Sequence, residues 1–327
     1  MIPTIAVSFK LEPPAQAVLA EAVAVAARIT ALPGLDAAAR ATALRQADIV
    51  LSRHPRQELT PQDLAAMGGV GLIQLMTAGI DFIAPDDLPA GVPVASNAGA
   101  YSEPMAEHAL AMILAAAKRL LVEHAALAHG DFHQFKANRM LRGMVCGILG
   151  YGGIGQATAR LMRGIGASIH VINRSGTTRD AVDWIGTTAQ LDTLLAVSDV
   201  LLISMPLTRD TQGLIGQREL GLMKDDAILV NLARGEIIDE AALFAHLQSH
   251  PAFTACIDAW WVEPVRHGEF RMDHPFTALP NVIGSPHNSA SVQDTANRAL
   301  HMAGLNCRRQ LTGAPVLNLV RPQDRYL

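Results

Sequence analysis

The chain has 327 residues, half of them hydrophobic and 17% charged; at roughly 150 residues per domain this predicts two domains with proper cores and excludes a disordered, collagen-like or solenoid protein. Lys and Arg number 26 against 30 Asp and Glu, a net charge of -4 without a basic run, so the footprint of a nucleic-acid binder is missing. No stretch reaches the roughly 18 uncharged apolar residues of a membrane span, and the first residues lack the basic segment and long apolar core of a secretory signal, so a soluble, cytoplasmic protein is expected.

Taken in chain order, short Val, Ile and Leu runs alternate with longer helical stretches. Ile5–Ser8, Ile49–Ser52, Leu72–Thr77 and Val92–Ser96 read as buried strands, with helices over Pro14–Ala31 and Ala37–Ala47 between them. Strands separated by helices imply a parallel sheet covered on both faces. The segment Pro104–Glu123 repeats Ala106, Leu110, Ile113, Leu114, Ala117 and Leu121 at helical spacing and reads as one long helix, a bridge between domains with a possible part in a dimer contact.

From Met144 the alternation returns with stronger punctuation. Val145–Leu149, Ile169–Ile172, Val200–Ser204, Ile228–Asn231, Ala255–Asp258 and Val282–Gly284 give six parallel strands opened by a glycine turn, the pattern of a dinucleotide-binding domain. A last helix spans Ser291–Leu311, with Ser291 and Asp294 spaced like a capping box. The expected fold is α/β: a Rossmann-type doubly wound parallel sheet, residues 99–287, inserted in a second, flavodoxin-like α/β substrate domain made of residues 1–98 and 288–327. Cys146, Cys256 and Cys307 lie far apart in apolar stretches and read as buried, inert thiols, and no metal is expected.

Gly150-Tyr-Gly152-Gly153-Ile154-Gly155 follows the strand Val145–Leu149 and opens a helical stretch, which is the context G-x-G-x-x-G requires. Gly150 allows the tight turn, Gly152 lets backbone approach a pyrophosphate, Gly155 lets strand and helix pack, and the helix start offers N–H groups to phosphates. At the end of the next strand an acid would bind the adenosine ribose of NAD; here Asn173-Arg174-Ser175 stands instead. A carboxylate repels a 2′-phosphate and a guanidinium binds it through charge-assisted bonds, so NADP(H) is favoured and NAD(H), with Asn173 on the ribose, is the alternative.

Three later segments end predicted strands with polar groups: Asn231-Leu-Ala-Arg234-Gly235, Asp258-Ala-Trp-Trp-Val-Glu263-Pro264 and Ser285-Pro286-His287. Carboxyl ends of parallel strands line the ligand crevice of such sheets, so an Arg, a Glu and a His from neighbouring ends are placed to converge. With the Ala78-Gly79-Ile-Asp81 loop, Ala106-Glu107-His108, the glycine turn and Pro206-Leu-Thr208, these motifs resemble the D-isomer-specific 2-hydroxyacid dehydrogenase family from Leu72 to Ala290; the first seventy residues match in pattern alone.

The resemblance implies that Arg234 holds the substrate carboxylate and C2 oxygen as a fixed cationic fork, that His287 is the proton donor to the carbonyl in reduction and the base in reverse, and that Glu263 hydrogen-bonds and orients His287. It further implies that the Ala78 and Gly79 N–H groups complete the carboxylate site, that Pro206 and Asp258 lie at the cofactor, Asp258 in a largely supporting part, and that the protein is a homodimer whose cleft closes on hinges near Asn97–Ala100 and His287–Ser289. Formate is disfavoured because formate-oxidising relatives place Gln where Glu263 stands, and phosphite because Leu75-Met76-Thr77 lacks a Lys. The expected activity is a glyoxylate/hydroxypyruvate-type 2-ketoacid reductase. The alternative is a cofactor-sensing, corepressor-like binding protein, for which the long Pro/Ser-rich interaction tail is missing. Two readings stay open for Trp260 and Trp261, pocket wall or packing, and for Tyr101. Asp239 is expected to cap the helix beginning near Glu240.

Overall fold

A computed structural model describes residues 2–321. The chain forms two compact units, Met1–Tyr101 with Gln293–Leu327, and Ser102–Val292. It crosses between them a few residues beyond the expected 98 and 288.

The first unit is a five-stranded parallel sheet of β1 (Thr4–Val7), β2 (Arg28–Ala31), β3 (Ile49–Ser52), β4 (Leu72–Leu75) and β5 (Val94–Ala95), in the order β2-β1-β3-β4-β5. That is the flavodoxin-like order. Strands β1, β3 and β4 are buried at every position, as parallel strands covered by helices on both faces must be. The pleat sends Ile5 and Val7 into one core with Leu19, Leu300 and Ala303, and Ala6 into the opposite core with Leu44 and Val94.

Two expectations for this unit need correction. The helix predicted over Pro14–Ala31 spans Pro13–Val23 and stops where Ala24 turns left-handed at φ 51°, its N–H still bonded to the Ala20 carbonyl. The remainder contains β2, an edge strand whose positions are half-exposed or exposed, so it lacks the fully apolar run that marked its neighbours. The last helix spans Thr295–Leu311 and no capping box forms: Asp294 sits at φ 66° and its carboxylate takes the Asn297 amide at 2.6 Å instead of a backbone N–H.

The second unit is a seven-stranded parallel sheet of β6 (Val145–Leu149), β7 (Ser168–Ile172), β8 (Trp184–Gly186), β9 (Val200–Ile203), β10 (Ile228–Asn231), β11 (Thr254–Ile257) and β12 (Val282–Gly284), ordered β12-β11-β10-β9-β6-β7-β8. This is the doubly wound order of dinucleotide-binding domains, reversing between β6 and β9, where the glycine turn emerges. The sequence showed six of the strands; the three-residue edge strand β8 was not among them. The predicted helix Pro104–Glu123 is two helices, Ser102–Ala117 and Leu120–Ala128, broken at Arg119, which adopts φ 54°. The second of these buries none of its residues.

Asp239 caps the helix Glu240–Ser249 by accepting the Ala242 N–H at 2.8 Å. All three cysteines are buried and free, and burial pushes each thiol up to about 12, which leaves them protonated and unreactive at neutral pH. Among the described residues, no helix is long and apolar enough to cross a membrane.

Candidate active site

The glycine turn has the geometry that phosphate binding needs. Gly150 sits at φ 105°, and a Cβ there would come within 2.5 Å of the Met205 nitrogen. At Gly155 a Cβ would overlap the Gly150 carbonyl oxygen, so only glycine lets the helix approach the strand. Gly152 differs: a Cβ would meet nothing within 4 Å, so the space in front of it is open. The helix Gly153–Ile165 starts immediately after it. Its first-turn N–H groups, on Gly153, Ile154 and Gly155, precede any acceptor within the helix and carry the positive end of its dipole. A dinucleotide pyrophosphate fits this opening. Ser204, at the end of β9, donates to the Gly150 carbonyl at 2.8 Å and ties the turn to the segment carrying the exposed Pro206.

At the end of β7, Asn173 is consumed by its own loop. Its side-chain oxygen accepts from the Ser175 and Gly176 N–H groups at 3.1 and 2.7 Å, and its amide donates to the Thr177 carbonyl at 2.8 Å. Asn173 therefore shapes the turn that presents Arg174 and Ser175, both exposed.

His287 and Glu263 meet from the segments that follow β12 and β11. His287 Nδ1 lies 2.8 Å from both Glu263 carboxylate oxygens. The Nδ1 proton is therefore donated to Glu263, and Nε2 is the ring nitrogen turned away from that carboxylate. Glu263 is buried; it also accepts the Trp260 N–H at 2.7 Å, and its own N–H donates to His267 Nδ1 at 2.9 Å. Burial pushes the Glu263 carboxyl upward, but the hydrogen bond and charge of His287, the Trp260 N–H and the charge of Arg234 outweigh it and hold the group below the usual carboxylate range. Glu263 is thus an anion fixed against the imidazole.

Arg234 follows β10 and is half-buried. Its turn is built by Asn231, whose side chain accepts the Ala233 N–H at 3.0 Å and donates to the Arg234 carbonyl at 2.9 Å. Gly235 packs directly under the Trp260–Trp261 peptide. Both tryptophans are packing residues: Trp260 donates its indole N–H to the Ser285 carbonyl at 2.8 Å, Trp261 donates to the Ile238 carbonyl at 2.7 Å and stacks on Phe276.

Asp258, expected at the cofactor in a largely supporting part, directly follows β11. Its carboxylate is fully buried and engaged with Ser285 and with the backbone of Asn288 and Ser289. In the first unit, Ala78 and Gly79 lie in the half-buried loop after β4. That loop is tied down by Tyr101, whose hydroxyl donates to the Met76 carbonyl at 2.6 Å, and by the Asn97 N–H on the Thr77 carbonyl at 2.8 Å. The fold therefore brings Arg234, Glu263 and His287 onto neighbouring strand ends of one sheet and the glycine turn onto another end of the same sheet. Ser204, Asn231 and His267, which position the predicted residues, were not singled out from sequence; only Asn231 carried a signal, as the first residue of its motif.

Residues 110–289 match the family model described as D-isomer specific 2-hydroxyacid dehydrogenase, NAD binding domain. The chain belongs to this family. It is 34% identical over 238 residues to a glyoxylate reductase of Aeropyrum pernix, covering 70% of each chain, and 30% identical over 239 residues to a glyoxylate/hydroxypyruvate reductase B of Yersinia enterocolitica, covering 71% and 72%. Among solved structures it is similar over the whole length of both chains, with a TM-score of 0.81 and 25% identity, to a D-isomer specific 2-hydroxyacid dehydrogenase of Xanthobacter autotrophicus Py2 in complex with NADPH and MES. The family makes the chain a dehydrogenase that uses a nicotinamide dinucleotide.

Proposed function

We propose that this protein is a reductase of small 2-keto acids, glyoxylate and hydroxypyruvate among them, forming D-2-hydroxy acids with NADP(H). The observation that carries the reading is the His287–Glu263 pair at 2.8 Å, with Nε2 left for the substrate oxygen. Arg234 holds the substrate carboxylate and C2 oxygen as a planar cation, and the Ala78 and Gly79 N–H groups are assigned to the carboxylate. A bound nicotinamide would supply the hydride for C2, while His287 Nε2 gives its proton to the carbonyl oxygen in reduction and takes it back in oxidation. Glu263 remains ionised and stabilises the imidazolium, holding the ring in one tautomer.

NADP(H) is favoured because the loop shaped by Asn173 presents Arg174 where an NAD-selecting carboxylate would stand, and the similar Xanthobacter structure is described with NADPH. A panel of 2-keto acids crossed with NADPH and NADH tests the reading. Glyoxylate or hydroxypyruvate turns over with NADPH preferred, and Arg174→Gln raises the KM for NADPH by roughly tenfold, the scale of one lost charge-assisted phosphate contact, with little effect on NADH. A wild-type preference for NADH ends the cofactor assignment; cofactor binding without turnover of any keto acid favours a binding protein. A homodimer belongs to this reading, supported by the exposed Leu120, Leu121, Leu127, Phe132 and Phe135. A sedimentation profile of monomer alone removes that part. The three free cysteines fit a reducing, cytoplasmic compartment.

A further inference from the structure

A second hydrogen-bonded chain stands behind His287. The Asp258 carboxylate has no exposed surface. It accepts the Ser285 hydroxyl at 2.5 Å and the N–H groups of Asn288 and Ser289 at 3.1 and 3.3 Å. The Asp258 carbonyl takes the N–H of His287 at 3.0 Å. One residue thus pins three consecutive positions, and the first of them, His287, stands at φ 51°, a left-handed backbone that a histidine keeps only where its surroundings impose it.

The chain continues outward to the helix Ser102–Ala117. His108 Nε2 lies 3.0 Å from the Ser285 hydroxyl oxygen and 3.9 Å from the Asp258 carboxylate. The Ser285 proton is committed to Asp258, because an ionised carboxylate only accepts. The Ser285 oxygen is therefore an acceptor toward His108, and His108 carries its proton on Nε2. A carboxylate removed from water depends on every donor aimed at it. Without the His108 N–H the Ser285 hydroxyl loses the partner that fixes its rotation, and the strongest donor to Asp258 loosens with it.

We propose that His108 is a positioning residue for His287, acting through Ser285 and Asp258 to hold the 287–289 backbone where the imidazole meets substrate. The inference rests on the reading of His287 as the acid–base residue. Three variants of the full chain test it: His108→Leu removes the donor, His108→Gln keeps an N–H at the corresponding position, and Ser285→Ala removes the central hydroxyl. In steady state with NADPH, H108L lowers kcat by roughly 10- to 100-fold, the scale of a displaced catalytic group, while the KM for glyoxylate and the Kd for NADPH stay within about threefold. H108Q recovers most of the lost kcat. Hydrogen–deuterium exchange of the peptide covering residues 285–290 is faster in H108L and S285A than in wild type, and H108Q restores its protection.

The exchange measurement needs no substrate, so it still reads the positioning if wild type turns over no keto acid, a result that would remove the functional reading alone. S285A repeats the test with a smaller change of volume if H108L does not fold. Wild-type exchange and wild-type kcat in H108L overturn the proposal. A loss spread equally over kcat, KM and cofactor Kd that H108Q fails to repair overturns it too.

Discussion

His287→Ala is expected to lower kcat for keto-acid reduction by about 10²–10⁴-fold, the typical contribution of a positioned general acid, and to leave the Kd for NADPH nearly unchanged. The selectivity of the effect follows from the geometry. His287 is bound through Nδ1 to a carboxylate that is itself fixed by the Trp260 N–H, and its Nε2 is not spent on any element of the glycine turn. Removing the ring takes away the proton source and leaves the strand–turn–helix of Gly150–Gly155 intact. Parallel turnover and cofactor-fluorescence titrations check the split; a variant that keeps more than about a tenth of wild-type kcat refutes the assignment of His287.

Gly235→Ala is the substitution with the largest expected cost in stability. A Cβ at this position would lie 2.5 Å from the Trp261 nitrogen and against the Trp260 carbonyl group, so both obstacles are backbone and neither can rotate away. Trp260 is itself anchored to Ser285, and Trp261 to Ile238, which leaves little room for relaxation. Overpacking of this kind costs about 3 kcal/mol, a fall of roughly 6–12 °C in the Tm of a unit this size. Because Arg234 precedes the clash and Glu263 follows it, kcat/KM falls as well. Gly164→Ala is the control: nothing lies within 4 Å of its Cβ, it is exposed within the helix Gly153–Ile165, and alanine there is expected to stabilise by about 0.5–1 kcal/mol. Thermal unfolding of both variants distinguishes the packing argument from a general intolerance of glycine replacement, which would lower both.

The parts of this molecule that the sequence revealed are those encoded locally. The runs of β3, β4, β6, β9 and β10 are buried at nearly every position and are almost wholly apolar, with Ser52, Gln74 and Asn231 as the buried polar exceptions. The glycine turn announces itself because three positions within six residues each have a reason to be small. The strands β2 and β8 escaped because most of their positions are half-exposed or exposed and β2 mixes polar with apolar residues, so neither carries a continuous buried apolar run. The break at Arg119 escaped for another reason: a left-handed arginine leaves no trace in a helical periodicity that Ala117 and Leu121 continue across it.

At the site the same division holds. Arg234, Glu263 and His287 stand out by type at the ends of recognisable strands. The supporting groups around the site do not, because each bonds a partner distant in the chain: Ser204 with Gly150, Ser285 with Asp258, His108 with Ser285. Asp258 is the clearest case. Its carboxylate is buried and bonded to a hydroxyl and to two backbone N–H groups of the segment that carries His287, partners that no local pattern announces.

Transfer of an isotopic label tests the central claim most directly. With glyoxylate and NADPH stereospecifically deuterated at nicotinamide C4 on the transferring face, the account predicts glycolate carrying one deuterium at C2 from wild-type protein, and at least about a hundredfold less labelled product per unit time from H287A. Unlabelled product from both deuterated faces of the cofactor, or labelled product formed equally fast by H287A, would contradict it.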